Sequence, residues 1–124
     1  MFRFGKRSID KLKGVHPSLI GITYRALSLS PHDFGVTEGL RSLERQKRLL
    51  AEGKSTTLHS RHLKGEAIDF AVYVDGKITW EMPYYQQVAQ AFKQAADEYG
   101  LKITWGGDWV TFKDGPHIQI EGAI

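Results

Sequence analysis

Residues 67–74 read AIDFAVYV, a strict alternation followed at once by Asp75-Gly76. In an extended strand Ile68, Phe70, Val72 and Val74 point to one face, and Asp69, Ala71 and Tyr73 point to the other. Asp75-Gly76 is the signal of a type I′ hairpin turn, so KITW (77–80) folds back antiparallel. The chain is therefore committed to a sheet that buries one face and leaves Asp69 on the other.

The flanking segments supply helices and further strands. From Pro17, PSLIGITYRALSLS carries Leu19, Ile20, Thr23, Tyr24 and Leu27 at helical spacing, with Gly21 as a weak point. FGVTEGLRS (34–42) reads as a short strand ending at Gly39. Ser42 caps a helix to about Glu52, with Leu43, Leu49 and Leu50 inward and Gly53 as the stop. Pro83 opens the clearest helix, with Tyr84, Val88, Ala91, Phe92, Ala95 and Tyr99 on one stripe and Gly100 ending it. KITWGG (102–107), WVTF (109–112) and HIQI (117–120) read as short strands. Strands and helices mix without a βαβα rhythm, so the expected class is α+β in one domain spanning 1–124.

Composition narrows the chemistry. There are no cysteines, which removes disulfides, thiolate metal sites and a cysteine nucleophile together. Any transition metal must be held by His, Asp or Glu. No apolar run reaches the roughly 20 residues of a membrane span, and no apolar core follows the basic N-terminus as a secretory signal would require. Residues 1–64 hold 13 Lys/Arg against 5 Asp/Glu, and residues 65–124 hold 4 against 9. The basic half suits an anionic partner such as a polyanionic cell wall, an acidic membrane surface or nucleic acid. Its cations are spread rather than gathered on one recognition helix, and no nucleic-acid motif occurs, which disfavours a nucleic-acid binder.

On HIQI, His117 shares a face with Gln119 while Ile118 and Ile120 point inward. If that strand neighbours 67–74, Asp69 and His117 converge. His62 arrives from the preceding loop, with Gly65 as the bend. Two imidazoles and a carboxylate are a common catalytic zinc set with an open fourth position. Asp114, three residues before His117, is the leading candidate for a proton shuttle, with Glu66 and Glu121 behind it. The spacing alone leaves a polar loop and surface turn equally open.

The run S-x-H-x-x-G-x-A-x-D is present as Ser60, His62, Gly65, Ala67 and Asp69, and Asp114-x-x-His117 follows inside WGGDWVTFKDGPHIQI. Together they resemble the zinc-dependent D-alanyl-D-alanine carboxypeptidase and L-alanyl-D-glutamate endopeptidase family, which cleaves peptidoglycan stem peptides. FGKRSIDKLKGVHPSL, LSLSPHDFGVTEGLRSLERQ and WGGDW look like phage endolysins of the L-alanyl-D-glutamate branch. The resemblance implies a Hedgehog/D-Ala-D-Ala peptidase-like fold, a small antiparallel sheet with helices on one face and the zinc site on the other. It implies Zn2+ on His62, Asp69 and His117, and Asp114 as general base and then acid. Arg41 would hold a substrate oxygen and oppose charge in the tetrahedral intermediate, with Ser60 and Gln46 near the substrate. It further implies a monomer without stable membrane insertion, made in the cytoplasm of an infected cell and reaching the wall through a holin. A D-alanyl-D-alanine carboxypeptidase with the same catalytic set is the alternative reading.

Overall fold

The computed structural model describes residues 2–55, 57, 60–111 and 113–121. Its central strand is the alternating segment, β2 (Ala67–Val74), with β1 (Asp33–Glu38) antiparallel along one edge. The other edge is shared by β3 (Lys77–Thr79) and β5 (His117–Ile120), both antiparallel to β2, and β4 (Ile103–Trp105) extends the sheet beyond β5. Asp75 and Gly76 both have positive φ, 52° and 76°, as the type I′ turn requires.

The even positions of β2 form the core. Ile68, Phe70 and Val72 are fully buried with Phe34 and Val36 of β1 and Ile118 and Ile120 of β5. Helices α2 (Pro17–Leu29) and α4 (Met82–Glu98) close over this apolar face through Leu19, Ile22, Ala26, Val88, Phe92 and Ala95. Rings knit the layers: Phe70 lies 5.6 Å from Phe34, 5.3 Å from Tyr85 and 5.4 Å from Phe92. Gly21, the weak point of α2, has a packing reason, because a Cβ there would collide with the Tyr99 hydroxyl.

Several expectations change. Residues 109–111 form no strand and Val110 is 93% exposed; Phe112 lies outside the described residues. In α3 (Leu43–Ala51) Leu43 and Leu50 face solvent, Leu49 is half-buried, and the fully buried side chain is Gln46. That helix packs through a polar residue because it walls a polar cleft rather than the core. On α4 Val88, Ala91, Phe92 and Ala95 are buried as expected, but the ends of the stripe differ: the fully buried tyrosine is Tyr85, Tyr84 is partly buried and Tyr99 is half-exposed. A short helix, α1 (Lys6–Lys11), escaped the sequence reading. Its Ser8 Oγ accepts the Val36 N–H at 3.0 Å and so occupies an edge donor of β1.

Replacing Phe70 by Ala should cost about 3–5 kcal/mol, a cavity beneath three rings, whereas Val110→Ala should stay within about 0.5 kcal/mol. Urea denaturation of the two variants checks both.

Candidate metal centre

A β-bulge sets the site. Val36 pairs with Phe70, but Glu38 rather than Thr37 comes opposite Asp69. On the other side of β2, Asp69 pairs with His117. Glu38, Asp69 and His117 therefore form one row across three strands, on the face away from α2 and α4.

His62 completes the group from a short 3-10 turn (Arg61–Lys64). Ser60 caps that turn by accepting the His62 N–H at 3.2 Å. Gly65 ends it at φ 68°, and a Cβ there would also run into the Gly14 carbonyl. The outcome is a side chain only 2% exposed, with Nε2 3.2 Å from Asp69 Oδ1. His117 Nδ1 lies 3.4 Å from the same oxygen. The donor atoms of His62, Asp69 and His117 all lie within 4.8 Å of one another. A tetrahedral ion with ligand bonds of about 2.0–2.1 Å sets its donors roughly 3.3 Å apart, so the spacing fits.

The outer hydrogen bonds decide what the inner atoms offer. His62 Nδ1 lies 2.9 Å from the Gly39 carbonyl, which can only accept, so Nδ1 carries the proton and a neutral ring turns the Nε2 lone pair inward. His117 Nε2 lies 2.8 Å from Gln119 Oε1, which leaves Nδ1 as the inward lone pair. Two imidazole lone pairs thus face a carboxylate oxygen. That arrangement is repulsive unless a cation stands among them, so the donor chemistry fits a metal ion.

Burial pushes the Asp69 carboxyl up, but hydrogen bonds from His117 and His62, made when a proton takes the place of an ion on their inward nitrogens, outweigh it and hold the group well below the usual carboxylate range. Burial likewise lowers His117, and the Asp69 partnership reverses this and raises it. Asp69 Oδ2 faces Arg41 Nη2 at 3.6 Å. Arg41 donates from Nε and Nη2 to the two Glu38 oxygens, both at 2.8 Å, and from Nη1 to Gln46 Oε1 at 2.7 Å. Gln46 in turn donates to Ser55 Oγ at 2.8 Å and the Thr57 carbonyl at 2.6 Å. Burial raises Glu38, and its bonds to Arg41 and Arg45 bring it below the ordinary range.

Asp114 stands on the turn leading into β5. Its N–H donates to the Gly106 carbonyl at 3.0 Å, its carbonyl accepts the His117 N–H at 3.1 Å, and Trp105 Nε1 donates to Gly115 at 2.6 Å. Pro116 keeps its place in this turn, its carbonyl accepting the Phe70 N–H at 2.9 Å. A Cβ at Gly106 would strike the Asp114 carbonyl and sit 3.0 Å from the Cβ atoms of Asp114 and His117, so glycine is what lets the two approach. Burial first, and then Asp69, raise the Asp114 pKa.

Arg41, Ser60, His62, Asp69, Asp114 and His117 all line one cleft of about 490 Å³, with Glu38, Arg61 and Trp109 among the other walls. Gln46 does not line the cleft; it lies behind three residues that do, Arg41, Ser55 and Thr57, and hydrogen-bonds to each. Glu66 and Glu121 do not line it, and both pair with Arg61, at 3.7 and 3.3 Å. No local pattern in the sequence marks Glu38, whose position depends on a bulge, or the Trp109 ring, 5.0 Å from that of His117. Alternation puts Gln119 on the face of His117 and says nothing of its role.

A family model described as phage L-alanyl-D-glutamate peptidase matches residues 1–121. The L-alanyl-D-glutamate peptidase of Escherichia phage T5 is 41% identical over 112 residues, 87% of this chain and 82% of that one. The crystal structure of the Serratia marcescens L-Ala D-Glu endopeptidase ChiX superposes with a TM-score of 0.91 at 45% identity, covering 98% of this chain and 90% of that one. The vancomycin-resistance D,D-dipeptidase VanXYg shares the fold at a TM-score of 0.54 and 17% identity, over 86% of this chain and 50% of that one.

Because His117 is raised, protein stripped of metal holds a proton at Nδ1 below that pKa, and metal binding must expel it. Apparent affinity for a divalent metal ion should therefore rise about tenfold per pH unit up to the raised His117 pKa and flatten above it. Calorimetry in buffers of different ionisation enthalpy should count about one proton released on the steep limb.

Proposed function

The chain belongs to the phage L-alanyl-D-glutamate peptidase family, and from that premise we propose that it is a zinc endolysin hydrolysing the L-alanyl-D-glutamate bond of peptidoglycan stem peptides. One observation carries the proposal. Lone pairs of His62 Nε2 and His117 Nδ1 meet an Asp69 oxygen at 3.2 and 3.4 Å on the wall of a cleft that also holds Asp114 and Arg41.

His62, Asp69 and His117 would hold zinc. Bound there, it supplies Lewis acidity, lowering the pKa of water from 15.7 to roughly 7 and polarising the scissile carbonyl. Asp114 takes the proton of the attacking water and delivers it to the leaving amine. Its raised pKa brings it nearer the operating pH, where one group serves best as both base and acid. Arg41 keeps a fixed positive charge beside Asp69, held against rotation by Glu38 and Gln46. It opposes the negative charge that develops on the carbonyl oxygen, at no reorganisation cost. Ser60 contacts the substrate from the cleft wall, and Gln46 acts from behind it by holding Arg41, Ser55 and Thr57.

One chain supplies the whole donor set, so the site needs no second copy, and we propose that the protein acts as a monomer. Among the described residues no helix is long and apolar enough to cross a membrane. We place the protein in the cytoplasm of an infected cell, with a holin-type partner opening the way to the wall. The D-alanyl-D-alanine carboxypeptidase reading draws only on the fold shared with VanXYg.

Mass spectrometry of digested peptidoglycan separates the two reactions. New N-terminal D-glutamate is expected, and loss of terminal D-alanine alone would transfer the protein to the alternative. On permeabilised cells, His62→Ala should lose zinc and lysis together. Asp114→Asn should keep zinc and lose at least about 100-fold in rate, the scale of a removed general base.

A further inference from the structure

We propose that Gln119, Glu121 and Arg61 form a positioning chain that fixes the His117 tautomer and so presents Nδ1 to the metal. The inference rests on the zinc reading above and adds three residues to it.

The pattern H-x-Q-x-E puts His117, Gln119 and Glu121 at alternate positions, so all three lie along the site-bearing face of β5 and beyond its end. The contacts run in one direction. His117 Nε2 donates to Gln119 Oε1 at 2.8 Å, and Gln119 Nε2 donates to Glu121 Oε1 at 2.7 Å. Arg61 Nη2 meets Glu121 Oε2 at 3.3 Å, while Arg61 Nη1 donates to the Ile120 carbonyl at 2.9 Å and ties the guanidinium to the strand.

The order of these groups carries the argument. A glutamine amide is nearly symmetric in shape, so sterics do not decide which end faces His117. Turned round, Gln119 would offer N–H donors to the histidine and draw its Nε2 lone pair outward, leaving Nδ1 protonated and unable to bind a metal. An ionised carboxylate only accepts, so Glu121 holds the NH2 end and leaves the oxygen for His117. Arg61 holds that carboxylate in place. Gly39 does the same service for His62 with a backbone carbonyl, which cannot turn round. A side-chain amide can, and that is why this half of the site needs a carboxylate behind it.

Zinc affinity measured by chelator competition tests the chain without reference to catalysis. Gln119→Ala should weaken zinc binding by about 10- to 100-fold, the range for lost partners of ligating histidines. In zinc-loaded wild type the His117 Nε2 proton should give a slowly exchanging NMR signal, and this signal should vanish in the variant. The exchanged pair, Gln119→Glu with Glu121→Gln, keeps the order, because the new carboxylate accepts from His117 and the new amide donates to it. It should bind zinc within about threefold of wild type. Tight zinc binding by Gln119→Ala, or a persisting Nε2 proton signal, overturns this inference alone. Absence of zinc binding by wild type overturns the metal reading and this inference with it.

Discussion

The carboxylate of Asp69 lies half-buried between the inward ring nitrogens of two histidines. Placing a carboxylate there costs on the order of several kcal/mol unless opposite charge and donors surround it. The surroundings answer that cost in sequence. Arg41 approaches from the β1 side, Glu38 neutralises Arg41, and Gln46 fills the remaining guanidinium contact. The bulge after Val36 exists at the one register where it can carry Glu38 into this row. No buried side-chain nitrogen or oxygen among the described residues lacks a partner, so the network is closed.

The same constraint explains why the site stands on loops pressed against the sheet. Neither His62 nor Asp114 belongs to a strand, yet each must come within reach of Asp69. At Gly65 the chain turns with positive φ against the Gly14 carbonyl, and at Gly106 it passes beneath Asp114 where no Cβ fits. Both contacts are backbone against backbone, which fixes the loops more firmly than side-chain packing would. Rigid placement matters, because a misplacement of about 1 Å at a reacting group can cost a hundredfold in rate.

Local patterns in the sequence were enough to read β2, its I′ turn and the helices opened by Pro17 and Pro83. They also put Asp69 and His117 on the polar face, because period-2 alternation survives any tertiary context. What stayed hidden depends on geometry that no local pattern encodes. The bulge is invisible in DFGVTE, so Glu38 looked like any strand-end charge. Leu43 and Leu50 suggested an ordinary amphipathic helix, whereas α3 turns the polar Gln46 inward to brace Arg41. WVTF has strand composition, but its Trp109 is drawn to the His117 ring and its Val110 is left in solvent. The metal set itself became specific only through the resemblance of the whole motif, since His-x6-Asp has many innocent uses.

Asp69 and Asp114 are the same side chain in the same cleft, and their pKa values move in opposite directions. Both are penalised by burial. Asp69 recovers through donors aimed at it, so it stays an anion, the form that a metal ligand requires. Among the described residues no cation hydrogen-bonds the Asp114 side chain, and burial and the charge of Asp69 hold its proton more tightly. Two carboxylates pushed apart in this way suit the two roles proposed for them, permanent charge and mobile proton. The division follows from position alone. Exchanging the two roles would require moving Arg41 and both histidines, which are pinned by Glu38, Gly39 and Gln119 to the strand that carries Asp69 and to its neighbours.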